Sequence, residues 1–110
     1  MSNLILREKF EAVLQSIYVA VRQFPKHEKF ALAADIKRTA WKVFRLMTEF
    51  VRKTHKKTTL NHIDVELDVL RSQIRMAHEF KYLAFDRYRR LSESLSEVGR
   101  ILGGLHKSTG

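Results

Sequence analysis

The chain has 110 residues, enough for one domain with a modest core and too few for two. It carries 21 Lys and Arg against 12 Asp and Glu, a formal charge of +9, which favours polyanionic partners, nucleic acid above all, with acidic membranes and acidic proteins as the other options. The absence of cysteine excludes a disulfide framework, a thiolate metal site and a cysteine nucleophile, and is compatible with a reducing, cytoplasmic setting.

The opening stretch, MSNLILREKFEAVLQ, has no basic run ahead of a long apolar one, so neither a signal peptide nor a membrane helix is read there and a soluble chain is expected. One proline and four glycines leave few breaks, and apolar residues recur at intervals of three and four. The fold class is therefore all-α. A first helix is expected over residues 3–24, with Leu6, Phe10, Val13, Ile17, Val21 and Phe24 on one stripe. Pro25 ends it by pushing Phe24 out of the helical region. A second helix is expected over 28–54, carrying Ile36, Ala40, Val43, Met47 and Phe50, before a polar basic linker, RKTHKKTT. For a third helix over 61–79, Asn61 offers an N-cap, Asp64 the reciprocal acid, and Leu60 a staple to Val65; its core stripe is Ile63, Leu67, Leu70, Ile74 and Ala77. A fourth helix over 85–105 places Tyr88, Leu91, Leu95, Val98, Leu102 and Leu105 in strict 3-4 alternation. Four such helices with short connections pack most simply as an antiparallel up-down-up-down bundle, a single domain over 1–110.

The charge is concentrated. From Lys26 to Lys57 there are ten basic residues against three acidic ones. At 100° per residue Arg38, Arg45, Arg52 and Lys56 fall on one line opposite the apolar stripe, with Lys42 and Lys53 beside it and Lys57 following. A charged helix face is ordinarily the solvated face, but such a face usually mixes signs because like charges at i, i+4 repel; here Glu49 alone interrupts the ridge. The ridge is therefore a candidate nucleic-acid contact. Lys81, Arg87, Arg89 and Arg90 form a second cluster at the start of the fourth helix, where cations oppose the helix dipole.

Apolar residues off the core stripes supply a further clue. Phe30, Trp41 and Phe44 lie between core and ridge, and Phe80, Tyr82 and Phe85 crowd the last loop, which together suggest a surface shared with another subunit. In EVGRILGGLHKSTG, Gly99 and Gly103 form a smooth strip beside the core stripe that would admit a second backbone, and Gly104 would cap the helix. The five histidines include no i, i+4 pair, so no metal site or cofactor is read; Glu93 and Glu97 look like surface ion-pair partners of Arg90 and Arg100. No phosphate loop, nucleophile elbow or dinucleotide fingerprint is present, and the chain is not read as an enzyme.

The stretch FPKHEKFALAADIKR, 24–38, resembles the second-helix opening of small four-helix-bundle proteins that include the 23S rRNA intervening-sequence family. That family continues with a serine-rich SIPSNIAEG-like stretch, where this chain reads TAWKVFRLMTEFVRK. Residues 65–108 are similar in order and spacing to the accessory variability determinants of diversity-generating retroelements: an L..LR...R.AH helix, a short loop, and a final helix with an EIGRMLGG-like motif. The positions that match are Pro25, Leu70, Arg71, Arg75, Ala77, Gly99, Arg100, Leu102, Gly103 and Gly104. This resemblance implies a four-helix bundle assembled into a pentameric barrel, binding the element's reverse transcriptase and its template RNA, with DNA as a further ligand. It adds Arg71 and Arg75 to the candidate nucleic-acid contacts. The alternatives are a ribosomal-insert-type protein or a scaffold for an acidic protein.

Overall fold

A computed structural model describes residues 2–52 and 57–109, and in it every regular element is helical. Helix α1 spans Ser2–Ala20, α2 Leu32–Arg52, α3 Lys57–Glu79 and α4 Phe85–Thr109. Each periodic stripe becomes a core stripe: Leu6, Phe10, Val13 and Ile17 of α1, Ile36 to Phe50 of α2, Ile63 to Ala77 of α3 and Leu91 to Leu105 of α4 are all buried. Leu14, Ala20, Leu60 and, from the last loop, Leu83 join them.

The helices contact one another in the cyclic order α1–α2–α3–α4–α1. Adjacent helices run antiparallel. Going up α3 from Asp64 to Arg71 means going down α4, because Asp64 meets His106 and Arg71 meets Leu95. Likewise Tyr18 meets Trp41 while Arg7 meets Phe44. Polar links stitch the seams: Lys9 Nζ to Glu97 Oε1 at 2.9 Å, Trp41 to Tyr18, Lys42 Nζ to Glu66 Oε2 at 3.3 Å, and His106 to Asp64.

The helix ends depart from the expected ones in instructive ways. The first helix tightens into a 3-10 turn at Val21–Gln23, Phe24 adopts extended backbone ahead of Pro25, and a second 3-10 turn covers Lys26–Glu28 before α2 begins. Helix α3 is already regular at Lys57, so Asn61 sits inside it and caps nothing. Thr59 and Leu60 are buried there, extending the core stripe by a turn, while Val65 is exposed and makes no staple. Residues 53–56, and with them the end expected for the second helix, lie outside the described residues.

Gly103 and Gly104 do not end α4, which runs on to Thr109 with neither glycine at positive φ. Burial of Leu105 and the His106–Asp64 contact hold this last stretch against α3. The glycine-type cap occurs at the end of α3, on a lysine. Lys81 has φ of 66°, its amide donates to the His78 carbonyl, and the Tyr82 amide donates to the Ala77 carbonyl. That pair of bonds is a Schellman motif with Lys81 at the left-handed position.

Candidate nucleic-acid interface

The ridge on α2 is real as a surface, and its members differ in how free they are. Arg38, Lys42, Arg45 and Arg52 are all exposed. Arg38 pairs with Asp35 one turn earlier, and Lys42 reaches Glu66 on α3. Arg45 and Arg52 have no acidic partner among the described residues. Lys53 and Lys56 lie outside the described residues, and Lys57 is exposed in the first turn of α3. Surface ion pairs such as Arg38–Asp35 contribute little to stability, so either cation can exchange its acid for a phosphate at small cost.

The second cluster sits at the opposite end of the bundle from Arg52 and Lys57. Lys81 and Arg90 are exposed and Arg87 is half-buried; Arg89 donates to Glu93 Oε1 at 2.8 Å, one helical turn away. Glu97 takes Lys9 as its partner, so the carboxylates pair with Arg89 and Lys9 where Arg90 and Arg100 were expected. The hydrogen bond and charge of Lys9, aided by Arg100, hold the Glu97 carboxyl below the usual glutamate range.

Arg75 is exposed on α3, whereas Arg71 is directed into the seam with α4. Its Nη2 donates to the Leu95 carbonyl at 2.8 Å, and its Nε is buried without a partner. Gly99 is what admits it: a Cβ built there would stand 2.6 Å from that same Nη2. The close approach that this glycine allows is therefore to a guanidinium, where a second backbone was expected. Gly103 and Gly104 face open space.

The aromatic residues divide into two groups. Trp41 donates from Nε1 to the Tyr18 hydroxyl at 2.8 Å and meets Phe44 edge-on at 5.9 Å; Arg7 lies over the Phe44 ring and Lys37 over Tyr18. At the loop end, Tyr82 touches Phe24, Phe80 and His27. His78 stacks flat on Tyr88 at 4.6 Å and donates from Nδ1 to the Leu83 carbonyl, securing the turn into α4. Phe85 is exposed there, and Phe30, 86 % exposed, has the Lys29 ammonium over its ring at 5.5 Å. Two features escaped the periodicity reading: Tyr18, whose hydroxyl needs Trp41 from another helix to be noticed, and the exposed Val65, Val69 and Met76 of α3.

Among the described residues no group of His, Asp or Glu is arranged to hold a metal ion, and no helix is long and apolar enough to cross a membrane. A family model described as bAvd-like matches residues 4–109. No curated protein matches the chain.

Proposed function

Because the chain belongs to the bAvd-like family, the accessory proteins of diversity-generating retroelements, we propose that it binds the element's reverse transcriptase and template RNA. In this reading it is a non-enzymatic, self-associating subunit, with a pentamer as the assembly implied by the family resemblance, and it supports mutagenic copying of the template. The observation that carries the RNA part is the pair of exposed cations, Arg45 and Arg52, standing on one helix face, neither of them in an ion pair among the described residues. Arg38 and Lys42, each held by a surface carboxylate, extend the same face.

Binding through such a ridge is electrostatic and nearly blind to sequence, because phosphates present the same charge whatever base they carry. If four phosphates are engaged, affinity for single-stranded RNA should fall about fifty-fold between 50 and 200 mM salt. The test is anisotropy of a labelled RNA across that range, with the variant Arg45→Glu/Arg52→Glu alongside. A salt-independent affinity, or an unchanged affinity in the variant, overturns the ridge as the contact. Co-purification with the element's reverse transcriptase tests the other half. No retention on RNA combined with capture of an acidic protein would assign the ridge to the scaffold reading.

A further inference from the structure

Between α1 and α2 lies an open groove of about 580 Å³, within the size range of sites for small organic ligands. Glu11, Gln15, Tyr18 and Arg22, on one face of α1, face Trp41 and Phe44 of α2 across it. Trp41 and Tyr18 are 40 and 39 % exposed, yet neither ring is loose. The bond from Trp41 Nε1 to the Tyr18 hydroxyl ties them together across the seam, and half-buried Phe44 meets the indole edge-on. With its one polar atom satisfied, what the indole offers to the groove is ring surface. A platform already fixed in place asks little further ordering of the protein when a planar ligand stacks on it.

The charge around the groove selects among planar ligands. Arg22 lines it on the α1 side, and Arg38 and Arg45 stand one turn before and one turn after Trp41 on α2, all three exposed. Arg22 and Arg45 are in no ion pair among the described residues. Arg38 and Arg45 lie about 40–60° round the helix from Trp41, so the groove opens directly alongside the cationic ridge. Two acids are also near, Glu49 one turn past Arg45 and Glu11 in the groove itself, both exposed and neither in an ion pair among the described residues. Glu11 would repel a phosphate held inside the groove. Beside Gln15 it suits the edge of a base, because every unpaired base presents at least one N–H donor on its Watson–Crick edge. A duplex has spent those donors on its own pairing.

We propose that the α1–α2 groove is a stacking slot for an unpaired base of a single-stranded RNA whose phosphates run along the α2 ridge, so that the chain selects single strands over duplexes. The inference rests on the RNA reading above and names the form of RNA that the ridge holds. Stacking on an aromatic ring tolerates any base, so the slot adds affinity for single strands without reading their sequence.

Trp41 is the only tryptophan in the chain, so its fluorescence reports this groove alone. Three end-labelled ligands of equal length serve as probes: a single-stranded RNA, the same strand annealed to its complement, and an abasic strand that keeps the phosphates and lacks the bases. Anisotropy reads binding and tryptophan emission reads stacking. The single strand should quench Trp41 as it binds. The duplex and the abasic strand should bind through the ridge and leave the emission unchanged, the abasic strand about five- to a hundredfold more weakly than the intact one. Trp41→Leu should weaken binding of the intact strand by the same factor and leave the abasic strand unaffected. The fluorescence measurement needs no variant, so a misfolded Trp41→Leu chain does not spoil the test. A single strand that binds without moving the emission, an abasic strand bound as tightly as the intact one, or a duplex that quenches as strongly overturns the slot and leaves the ridge standing; a groove covered by a second copy or a partner protein gives the first of these results. Failure of all three probes to bind overturns ridge and slot together.

Discussion

Replacing Gly99 by alanine tests the contact that Arg71 makes across the α3–α4 seam. The new Cβ would lie 2.6 Å from Arg71 Nη2, so the guanidinium must withdraw and its bond to the Leu95 carbonyl is lost. A hydrogen bond from a charged donor contributes about 1.5–3 kcal/mol. The lower figure applies here, because the arginine is half-buried and regains water, and because the Leu95 carbonyl keeps its helical partner. In the other direction alanine is about 1 kcal/mol better than glycine inside a helix. The balance is a loss of about 0.5 kcal/mol. With Arg71 already changed to alanine there is nothing to displace, and the same Gly99→Ala should stabilise by about 1 kcal/mol. The coupling between the two positions is thus about 1.5 kcal/mol. Urea unfolding of the four chains, followed by circular dichroism at one protomer concentration, measures it. If Gly99→Ala stabilises both backgrounds equally, the glycine does not exist to make room for the arginine and the reasoning fails.

Three other substitutions follow from the geometry. Lys81 holds a left-handed conformation that costs a side chain about 1–2 kcal/mol, so Lys81→Gly should raise stability by roughly 1 kcal/mol once the added freedom of the unfolded chain is subtracted; a lower melting temperature would contradict the Schellman assignment. Phe10 is fully buried at the centre of α1, and Phe10→Ala should cost about 3–5 kcal/mol in the same urea assay. For Glu97, the Lys9 contact favours the ionised form in the folded chain. Its contribution is therefore present above the ordinary glutamate value and disappears as the pH falls through the lowered folded one. Carboxyl titration by NMR should find Glu97 below the ordinary value, and Lys9→Met should move it upward; no movement would show that Lys9 is not the cause.

The core was legible because helices announce their buried face by spacing alone: every expected stripe residue except Val21 and Tyr88 is buried, and those two are partly so. The ends were harder. Asn61 has the right neighbours for a cap, yet Leu60 already sits on the 3-4 alternation of α3, and its burial outweighs the capping signal. Two adjacent glycines read as a terminator, but the Leu105 and His106 contacts carry α4 past them. The true left-handed residue, Lys81, offered no signal because its conformation is imposed by the turn that buries Leu83 and seats Tyr82. The ridge was visible as charge. Which cations were already paired was not, since the Lys42–Glu66 pair joins two helices and Arg71 meets its carbonyl across another seam.

The order of contacts around the bundle also gives it a mechanical grain. Three of the four seams join helices that follow one another in the chain, while the fourth joins α1 to α4, where Lys9 meets Glu97 across nearly the whole sequence. An even number of helices returns the chain to the end from which it started, so Ser2 and Thr109 lie at the same end, on the two sides of that seam. Tension applied between them would act across the helix axes and load the α1–α4 contacts one turn at a time. Pulled by its ends, the molecule should unzip from this seam at low force instead of resisting in shear.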